Sequence, residues 1–399
     1  MVYSGSRRTA TGQPGPRCQF AICHLLFAIR ACEIFRPTMS KTGYDYAPQG
    51  KPAPVCRPGE FKFAAVALDH GHIYGQCNAL VEAGGELKWV FDPDPAKVES
   101  FRKKFPQANV AKALDQVLED PEIQLIAAAA IPCERGPLGI TVMRAGKHYF
   151  TDKTPFTQLD QLAAARKVAA ETGKRYMVYY SERLHVECAV FAGDLIEQGA
   201  IGRVVQVLGL GPHRLTAESR PAWFFQKAKY GGILCDIGSH QIEQFLFYSG
   251  ASDAQVTSAR VANYANPNYP ELEDFGDATL VGNNAAASYF RVDWLTPNGL
   301  RTWGDGRTVI LGTDGYIEMR KYIDVAREDG GDQLFLVNQD GEKHFSLAGK
   351  VGFPFFGRLI LDCLNGTETA MTQKHAFKAA ELCLQAQAAA QVITKPTDS

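Results

Sequence analysis

The chain has little of what disulfide-stabilised, zinc-binding and membrane-spanning proteins need. Its ten cysteines are scattered, with no Cys-x-x-Cys pair and no Cys/His cluster at metal-ligand spacing, which argues against a disulfide framework or a metal site. No apolar run approaches the roughly 20 residues of a membrane helix, because the most apolar N-terminal run is broken by His24 and Arg30. These absences predict a soluble, cytoplasmic protein with reduced thiols and no bound metal.

Charge of one sign is also lacking, since the formal net charge is only −1. Nucleic acids and anionic membranes are attracted by strong fields of one sign, so neither is expected as a partner. A small molecule recognised in a shaped site is therefore the expected ligand.

The first 38 residues differ in composition from the rest, with five arginines, one acidic residue and a short apolar patch over 20–29. Arg7-Arg8 raises the possibility of an export signal. We favour a start codon assigned too early, because the patch contains His24, no small-x-small cleavage site follows, and Met39 precedes an ordinary polar segment. We expect residues 1–59 to be an N-terminal extension, poorly ordered at least to residue 38.

A length of 399 residues, with 46% hydrophobic and 21% charged residues, predicts two globular domains. From Phe61 onward, almost uniformly apolar runs alternate with amphipathic segments, which is typical of a parallel sheet covered on both faces. We predict a doubly wound α/β Rossmann domain over residues 60–181. Its expected strands are Phe63–Leu68, Leu87–Phe91, Ile123–Ala130, Tyr149–Thr151 and Tyr176–Tyr180, and its expected helices are Ile73–Ala83, Pro95–Phe105, Ala113–Glu119, Leu138–Ala145 and a helix capped by Thr157 that runs through Ala170.

After Ser181 the pattern changes to a helix through Leu195 and then to longer runs that alternate in polarity. Such runs predict strands with one polar face. Residues 182–399 are therefore expected to form an α+β domain with a large, mostly antiparallel open sheet. The expected strands are Val204–Leu210, Val256–Val261, Ala278–Val281, Ala286–Leu295 and Thr308–Leu311, and a helix over 375–392 is expected to pack back on the first domain.

The loop after the first predicted strand has the position of a dinucleotide-binding loop. It reads Asp69-His70-Gly71-His72-Ile73, and Asp92 ends the next strand 21 residues after Gly71. A dinucleotide needs a glycine turn that directs its pyrophosphate to a helix N-terminus, and an acid about 20 residues on for the adenosine ribose. Position and spacing agree, but Asp69 stands where glycine is usual. Asp92 favours NAD over NADP, because a carboxylate repels a 2′-phosphate.

Asp152 and Lys153 follow the predicted strand Tyr149–Thr151, at the sheet edge where open α/β folds bind ligands. The ammonium of Lys153 could lower the pKa of a substrate alcohol and stabilise the alkoxide as hydride leaves. A surface lysine paired with Asp152 is the simpler alternative.

The segment from Gly231 to Glu243 carries Asp236 and His240, four residues apart. On one helix these side chains would touch, and a histidine oriented by a carboxylate would accept a proton with a pKa near neutrality. Gly238 between them suggests that a cofactor or substrate approaches the backbone there, because glycine weakens a helix. A surface Asp/His pair without function is the alternative.

Read together, these motifs resemble the glucose-fructose oxidoreductase, inositol dehydrogenase and rhizopine-catabolism (Gfo/Idh/MocA) superfamily from about Phe61 to the C-terminus. The matching motifs are Ala145-Gly146-Lys147-His148, Asp152-Lys153-Thr154-Pro155 in place of Glu-Lys-Pro, Arg183, Gly231-Gly232 with Asp236-x-Gly238-x-His240, and Gly312-Thr313-Asp314-Gly315. The resemblance implies that Lys153, Asp236 and His240 are catalytic, with His240 as proton acceptor, and that the sheet domain forms homodimers or homotetramers. Two departures are the glycine-poor loop and Ile131-Pro132-Cys133-Glu134-Arg135, which lacks the usual asparagine and histidine.

The expected function is an NAD(H)-dependent dehydrogenase of a sugar, cyclitol or related polyol. The cofactor is expected to contact Asp69, Gly71, His72, Ile73, Asp92, Ile131, Pro132, Asp152 and Lys153, and the substrate Lys153, Tyr180, Arg183, His213, Trp223, Asp236 and His240. Two alternatives stay open: a glycoside hydrolase or isomerase that retains NAD and works through a transient keto intermediate, and a non-enzymatic NAD-sensing regulator.

Overall fold

The computed structural model describes residues 53–327 and 330–394, which belong to one compact unit. The expectations for residues 1–52 lie outside the described residues. None of the helices in these two ranges is both long enough and apolar enough to cross a membrane.

The first half forms a six-stranded parallel sheet with strand order β3-β2-β1-β4-β5-β6, the order of a dinucleotide-binding Rossmann sheet. The strands are β1 Lys62–Val66, β2 Glu86–Phe91, β3 Asn109–Val110, β4 Ile123–Ala128, β5 His148–Asp152 and β6 Tyr176–Tyr179, and the helices are α1 His72–Glu82, α2 Pro95–Lys104, α3 Leu114–Glu119, α4 Pro132–Arg144 and α5 Leu159–Thr172. The predicted doubly wound sheet is confirmed.

The second half forms a nine-stranded sheet of order β14-β13-β12-β11-β7-β10-β9-β8-β15, antiparallel except for the pairs β7–β10 and β8–β15. Its strands are β7 Val204–Pro212, β8 Ala254–Ala262, β9 Phe275–Gly282, β10 Ala287–Asp293, β11 Arg307–Gly312, β12 Gly315–Arg320, β13 Gln333–Asn338, β14 Gly341–Ser346 and β15 Gln391–Ile393. The helices are α6 Ser181–Leu184, α7 Glu187–Glu197, α8 Lys227–Tyr230, α9 Ile233–Asp236, α10 Gly238–Ser249, α11 Pro354–Asn365 and α12 Gln373–Ala389. The predicted mostly antiparallel sheet is confirmed.

Helix α12 lies between the two sheets. It contacts α5 and β6 on one side and α10 and β8 on the other. The backbone amide of Tyr176 donates to Oε1 of Gln373, and Nε2 of Gln373 donates to the carbonyl of Tyr176. Glu381 also forms an ion pair with Arg166 at 2.6 Å. The seam between the sheets is therefore closed by packed helices at this end.

Three local predictions were wrong. Gln158, and not Thr157, precedes α5, because the Thr157 amide donates to the Gln161 side chain. The helix expected through Leu195 is interrupted at His185 between α6 and α7. The last helix ends at Ala389, because residues 391–393 pair with β8 as a strand.

The polarity of the nine-stranded sheet alternates along its strands, as in β11, where Thr308 and Ile310 are buried and Leu311 is exposed. Tyr316 on the adjacent strand β12 and Val281 on the more distant β9 are also exposed. Association of copies through the open face of this sheet stays a prediction, as does the domain division at residue 181.

Candidate active site

A cavity that is partly open to solvent lies at the carboxyl edge of the first sheet. The first half contributes His70 from the loop after β1, His72 and Pro132 from the first positions of α1 and α4, and Asp152 and Lys153 from the end of β5. The second half contributes Glu182, His213, Asp236 and His240, together with the aromatic side chains Trp223, Phe224, Tyr230, Trp294, Trp303 and Tyr322. The cavity therefore combines charged groups with aromatic walls.

Lys153 crosses the seam to reach Asp236. Its Nζ lies 2.5 Å from Oδ1 of Asp236, and the two side chains are 6% and 14% exposed. Burial acts to raise the pKa of Asp236, but the Lys153 ammonium outweighs burial and lowers it. At neutral pH the pair is therefore a lysine cation beside a carboxylate anion within the cavity.

Glycines direct the chain into Asp236. Gly231 and Gly232 have φ values of +89° and +92°, which glycine adopts without strain. A Cβ at Gly232 would lie 2.2 Å from the Gln387 side chain, and one at Gly238 would lie 3.3 Å from the Phe290 ring. Packing against a core aromatic ring is therefore a sufficient reason for glycine at position 238, and the approach of a cofactor or substrate to the backbone there stays a prediction.

His240 lies in the first turn of α10 and is 2% exposed. The expected contact with Asp236 is not formed: Asp236 ends helix α9, its carboxylate pairs with Lys153, and Nδ1 of His240 is buried with no hydrogen-bond partner. Burial lowers the pKa of His240 to about 3, while the nearby Glu182 carboxylate acts to raise it. The expected pKa near neutrality was therefore wrong, and the imidazole is neutral at physiological pH.

Asp152 is the centre of a buried hydrogen-bonded cluster, called here the Asp152 hub. Its carboxylate oxygens lie 2.8 Å from Nδ1 of His72, 3.1 Å from Nδ1 of His70 and 3.1 Å from Nη2 of Arg135. The carboxylate also accepts a hydrogen bond from the backbone amide of Lys153 at 2.8 Å. Burial acts to raise the pKa of Asp152, but the imidazoles and the Arg135 guanidinium outweigh burial and hold it well below its usual value. The hub therefore fixes a carboxylate anion directly beside Lys153.

His70, His72 and Asp152 are also of metal-ligating type, with ligand atoms within 4.8 Å of one another. A divalent cation there would lie beside the Arg135 guanidinium, which bonds the same carboxylate. Repulsion between like charges opposes a metal at this position. The cluster is better described as a hydrogen-bonded hub than as a metal centre.

The dinucleotide loop precedes helix α1, and no side chain caps that helix. Dinucleotide sites bind a phosphate at such a helix N-terminus; here the amides of Ile73 and Tyr74 donate to the carbonyls of His70 and Gly71 at 3.2 and 3.1 Å. On the adenosine side, Asp92 accepts hydrogen bonds from the amides of Leu68 (2.7 Å) and Asp94 (2.9 Å), and Asp69 pairs with Lys97 at 2.6 Å. The residues fit a dinucleotide, with acidic groups where the ribose would lie.

The remaining predicted cofactor residues separate into two groups. His72, Pro132, Asp152 and Lys153 line the cavity. Ile73 is a buried core residue, and Gly71 and Ile131 precede helices α1 and α4. The predicted cofactor residues are therefore not all brought together at the cavity.

Two predicted substrate residues lie outside the cavity lining. Tyr180 is fully buried and its hydroxyl donates to the carbonyl of Ala376 at 3.3 Å. Arg183 binds the buried carboxylate of Glu243 and lies over the ring of Phe247. Neither lines the cavity, whereas the predicted His213 and Trp223 do.

Sequence reasoning missed Glu182, His70 and Arg135, which all line the cavity. His70 stands between Asp69 and Gly71 in the loop already singled out, and Arg135 ends a motif noted only for what it lacks. Glu182 precedes Arg183, and the resemblance drew attention to the arginine. Adjacent helical residues point about 100° apart, so the two side chains leave α6 in different directions, and only Glu182 lines the cavity.

Comparison with known proteins gives a consistent assignment. A model of an oxidoreductase family with an NAD-binding Rossmann fold, GFO/IDH/MocA, matches residues 66–180, and a model of the GFO/IDH/MocA C-terminal domain matches residues 191–318. A crystal structure of a protein assigned as an oxidoreductase, from Erwinia carotovora atroseptica, is 50% identical, with a TM-score of 0.82, and covers 84% of this chain and 100% of its own.

Two curated relatives are more distant. D-xylose dehydrogenase of Paenarthrobacter nicotinovorans is 26% identical over 36% of this chain, and the NADP⁺-dependent scyllo-inositol 2-dehydrogenase of Bacillus subtilis is 24% identical over 52%. The matched regions span 38% and 56% of the length of those two proteins.

Replacing Asp152 by asparagine should destabilise the protein, because the buried Arg135 guanidinium loses its anionic partner. We expect the free energy of unfolding in urea to fall by about 3–5 kcal/mol. The control is Glu99→Gln, which removes an exposed ion pair with Lys103 and should change stability by less than about 0.5 kcal/mol. Equal stabilities of the two variants would contradict the role of the hub.

Proposed function

This chain belongs to the GFO/IDH/MocA family of oxidoreductases, and from that premise we propose that it is an NAD-dependent dehydrogenase of a secondary alcohol in a sugar, cyclitol or related polyol. The observation that carries the proposal is the Lys153–Asp236 pair, joined at 2.5 Å inside the cavity that His240 also lines. Names of curated relatives, a xylose dehydrogenase and an inositol dehydrogenase, support this substrate class.

Lys153 and His240 would have different roles in the removal of the hydroxyl proton. The Lys153 ammonium lowers the pKa of an alcohol beside it and stabilises the alkoxide that forms. The neutral imidazole of His240 has a lone pair for the proton, and the Glu182 anion favours the resulting imidazolium. Asp236 orients Lys153 and can accept a hydrogen bond from a substrate hydroxyl. A bound nicotinamide cofactor supplies the hydride acceptor.

NAD rather than NADP is the proposed cofactor. Asp69 and Asp92 place two carboxylates beside the loop that precedes α1, with Lys97 between them at 2.6 and 3.8 Å. A 2′-phosphate near these carboxylates would be repelled. The NADP⁺-dependent relative makes NADP the competing possibility.

The role of His240 is tested by His240→Ala. We expect kcat for polyol oxidation to fall about 10²- to 10⁴-fold, the usual contribution of a general base, while NADH binding is retained. The matched control is His344→Ala, because His344 is exposed on β14 and bonds Gln333. Full activity of His240→Ala would refute proton transfer through this imidazole, and no turnover of any polyol by the unmodified protein would refute the dehydrogenase itself.

The pH dependence follows from the neutral state of His240. A base must be unprotonated, so its contribution is lost only as pH falls through its pKa, here about 3. We expect kcat/KM for polyol oxidation to show no acid limb between about pH 5 and 8. A tenfold loss per pH unit below 6.5, with NADH binding unchanged over the same range, would contradict this.

Cofactor preference is tested by fluorescence titration with NADH and NADPH. NADH should bind more tightly than NADPH. In Asp92→Asn the ratio of the two dissociation constants should fall roughly tenfold, because one charge that repels the 2′-phosphate is removed. Asp115→Asn, at an exposed position of α3, should leave the ratio unchanged. Tighter binding of NADPH would assign the opposite cofactor.

A further inference from the structure

Glu182 is a buried carboxylate in the cavity wall, and one of its two oxygens is fully engaged. Oε2 accepts hydrogen bonds from Nζ of Lys321 and from Nε2 of Gln241, each at 3.0 Å. Lys321 is fully buried and also binds Gln244 at 2.7 Å. This arrangement holds the Glu182 side chain in one orientation.

The strand behind Gln241 makes room for that arrangement. A Cβ at Gly209 would lie 2.2 Å from Oε1 of Gln241, and a Cβ at Gly211 would lie 2.9 Å from its Nε2. Both glycines lie in β7. The amide of Gln241 can therefore point at Glu182 only because β7 carries glycine at these two positions.

The second oxygen of Glu182, Oε1, is buried without a hydrogen-bond partner. Burial acts to raise the pKa of Glu182, but Lys321 and the nearby imidazoles outweigh burial and lower it to about 2. The group is thus an anion at neutral pH. A buried anionic oxygen without a donor is costly, which points to a donor supplied by a ligand.

His213 places a second acceptor beside Oε1. Its Nδ1 lies 3.2 Å from the carbonyl oxygen of Gly211, which can only accept, so Nδ1 carries the proton. Burial lowers the pKa of His213 to about 4, so the imidazole is neutral and Nε2 has a free lone pair. Nε2 lies 3.9 Å from Oε1 of Glu182, and two acceptors face the cavity side by side.

We propose that Glu182 is a substrate-binding residue that determines specificity: Oε1, with Nε2 of His213, accepts hydrogen bonds from the hydroxyl groups next to the oxidised carbon of a polyol. This inference rests on the proposed function and names which polyols the site takes. The ring of Trp303 lies 4.5 Å from that of His213 and offers an apolar face beside the two acceptors. A substrate that lacks the neighbouring hydroxyl leaves the Glu182 anion without a donor.

The test compares the most active polyol of a panel with its analogue deoxygenated at the neighbouring carbon. The unmodified protein should favour the hydroxylated substrate in kcat/KM by roughly 10- to 100-fold. In Glu182→Gln the amide oxygen must face the donors Lys321 and Gln241, so the amide NH₂ faces the cavity and replaces an acceptor by a donor. We expect the preference to fall to near one in this variant.

The matched control is Glu243→Gln. Glu243 is also a buried carboxylate with a cationic partner, Arg183, but it does not line the cavity. Its substitution should leave the substrate preference unchanged whatever its effect on stability. A preference retained in Glu182→Gln, or lost equally in Glu243→Gln, would overturn the inference.

Two further measurements keep the test decisive. If Glu182→Gln does not fold, the double variant Glu182→Gln/Lys321→Met removes both buried charges, and the same ratio is measured. If the unmodified protein turns over no polyol with NAD or NADP, the proposed dehydrogenase fails, and calorimetric binding of each polyol and its deoxy analogue still reports on Glu182. If the unmodified protein then bound the polyol and its deoxy analogue with equal affinity, that result alone would overturn the inference.

Discussion

The candidate site depends on one buried carboxylate, that of Asp152. An anion in this position is stable only because two imidazoles, a guanidinium and a backbone amide surround it. These groups come from the loop after β1, from the start of α1, from α4 and from the end of β5, so the hub ties the helices of the first half to its sheet. Arg135 also bonds the backbone carbonyls of Lys153 and Thr154. The direction in which Lys153 leaves the sheet is fixed by these contacts.

The same balance between burial and charged neighbours sets the protonation state of the other titratable groups in the cavity. Burial dominates for His70, His213 and His240, whose pKa values fall to about 3 or 4. Charged partners dominate for Asp152, Glu182 and Asp236, whose pKa values are lowered despite burial. The cavity thus holds neutral imidazoles between ionised carboxylates, and the imidazoles are bases without being cations.

The alternation of apolar strand-length runs with amphipathic helices predicted the first sheet, because it leaves few other folds for residues 62–179. Runs that alternate in polarity predicted the second sheet. The placement of Lys153 in the cavity was also predictable, since parallel strands end at a common edge. The contact between Asp236 and His240 was not, because it assumed one continuous helix where α9 ends and α10 begins. The choice of Arg183 over Glu182 depended on the rotation of a four-residue helix, which no pattern in the sequence fixes.

The ion pair between Lys153 and Asp236 joins positions 83 residues apart along the chain. Lys153 follows β5 of the first sheet, whereas Asp236 ends α9 in the second half of the chain. The pair therefore forms only when both halves are folded and packed against each other. Neither half holds the charged groups of the cavity by itself, so the integrity of the site depends on the packing between the two sheets.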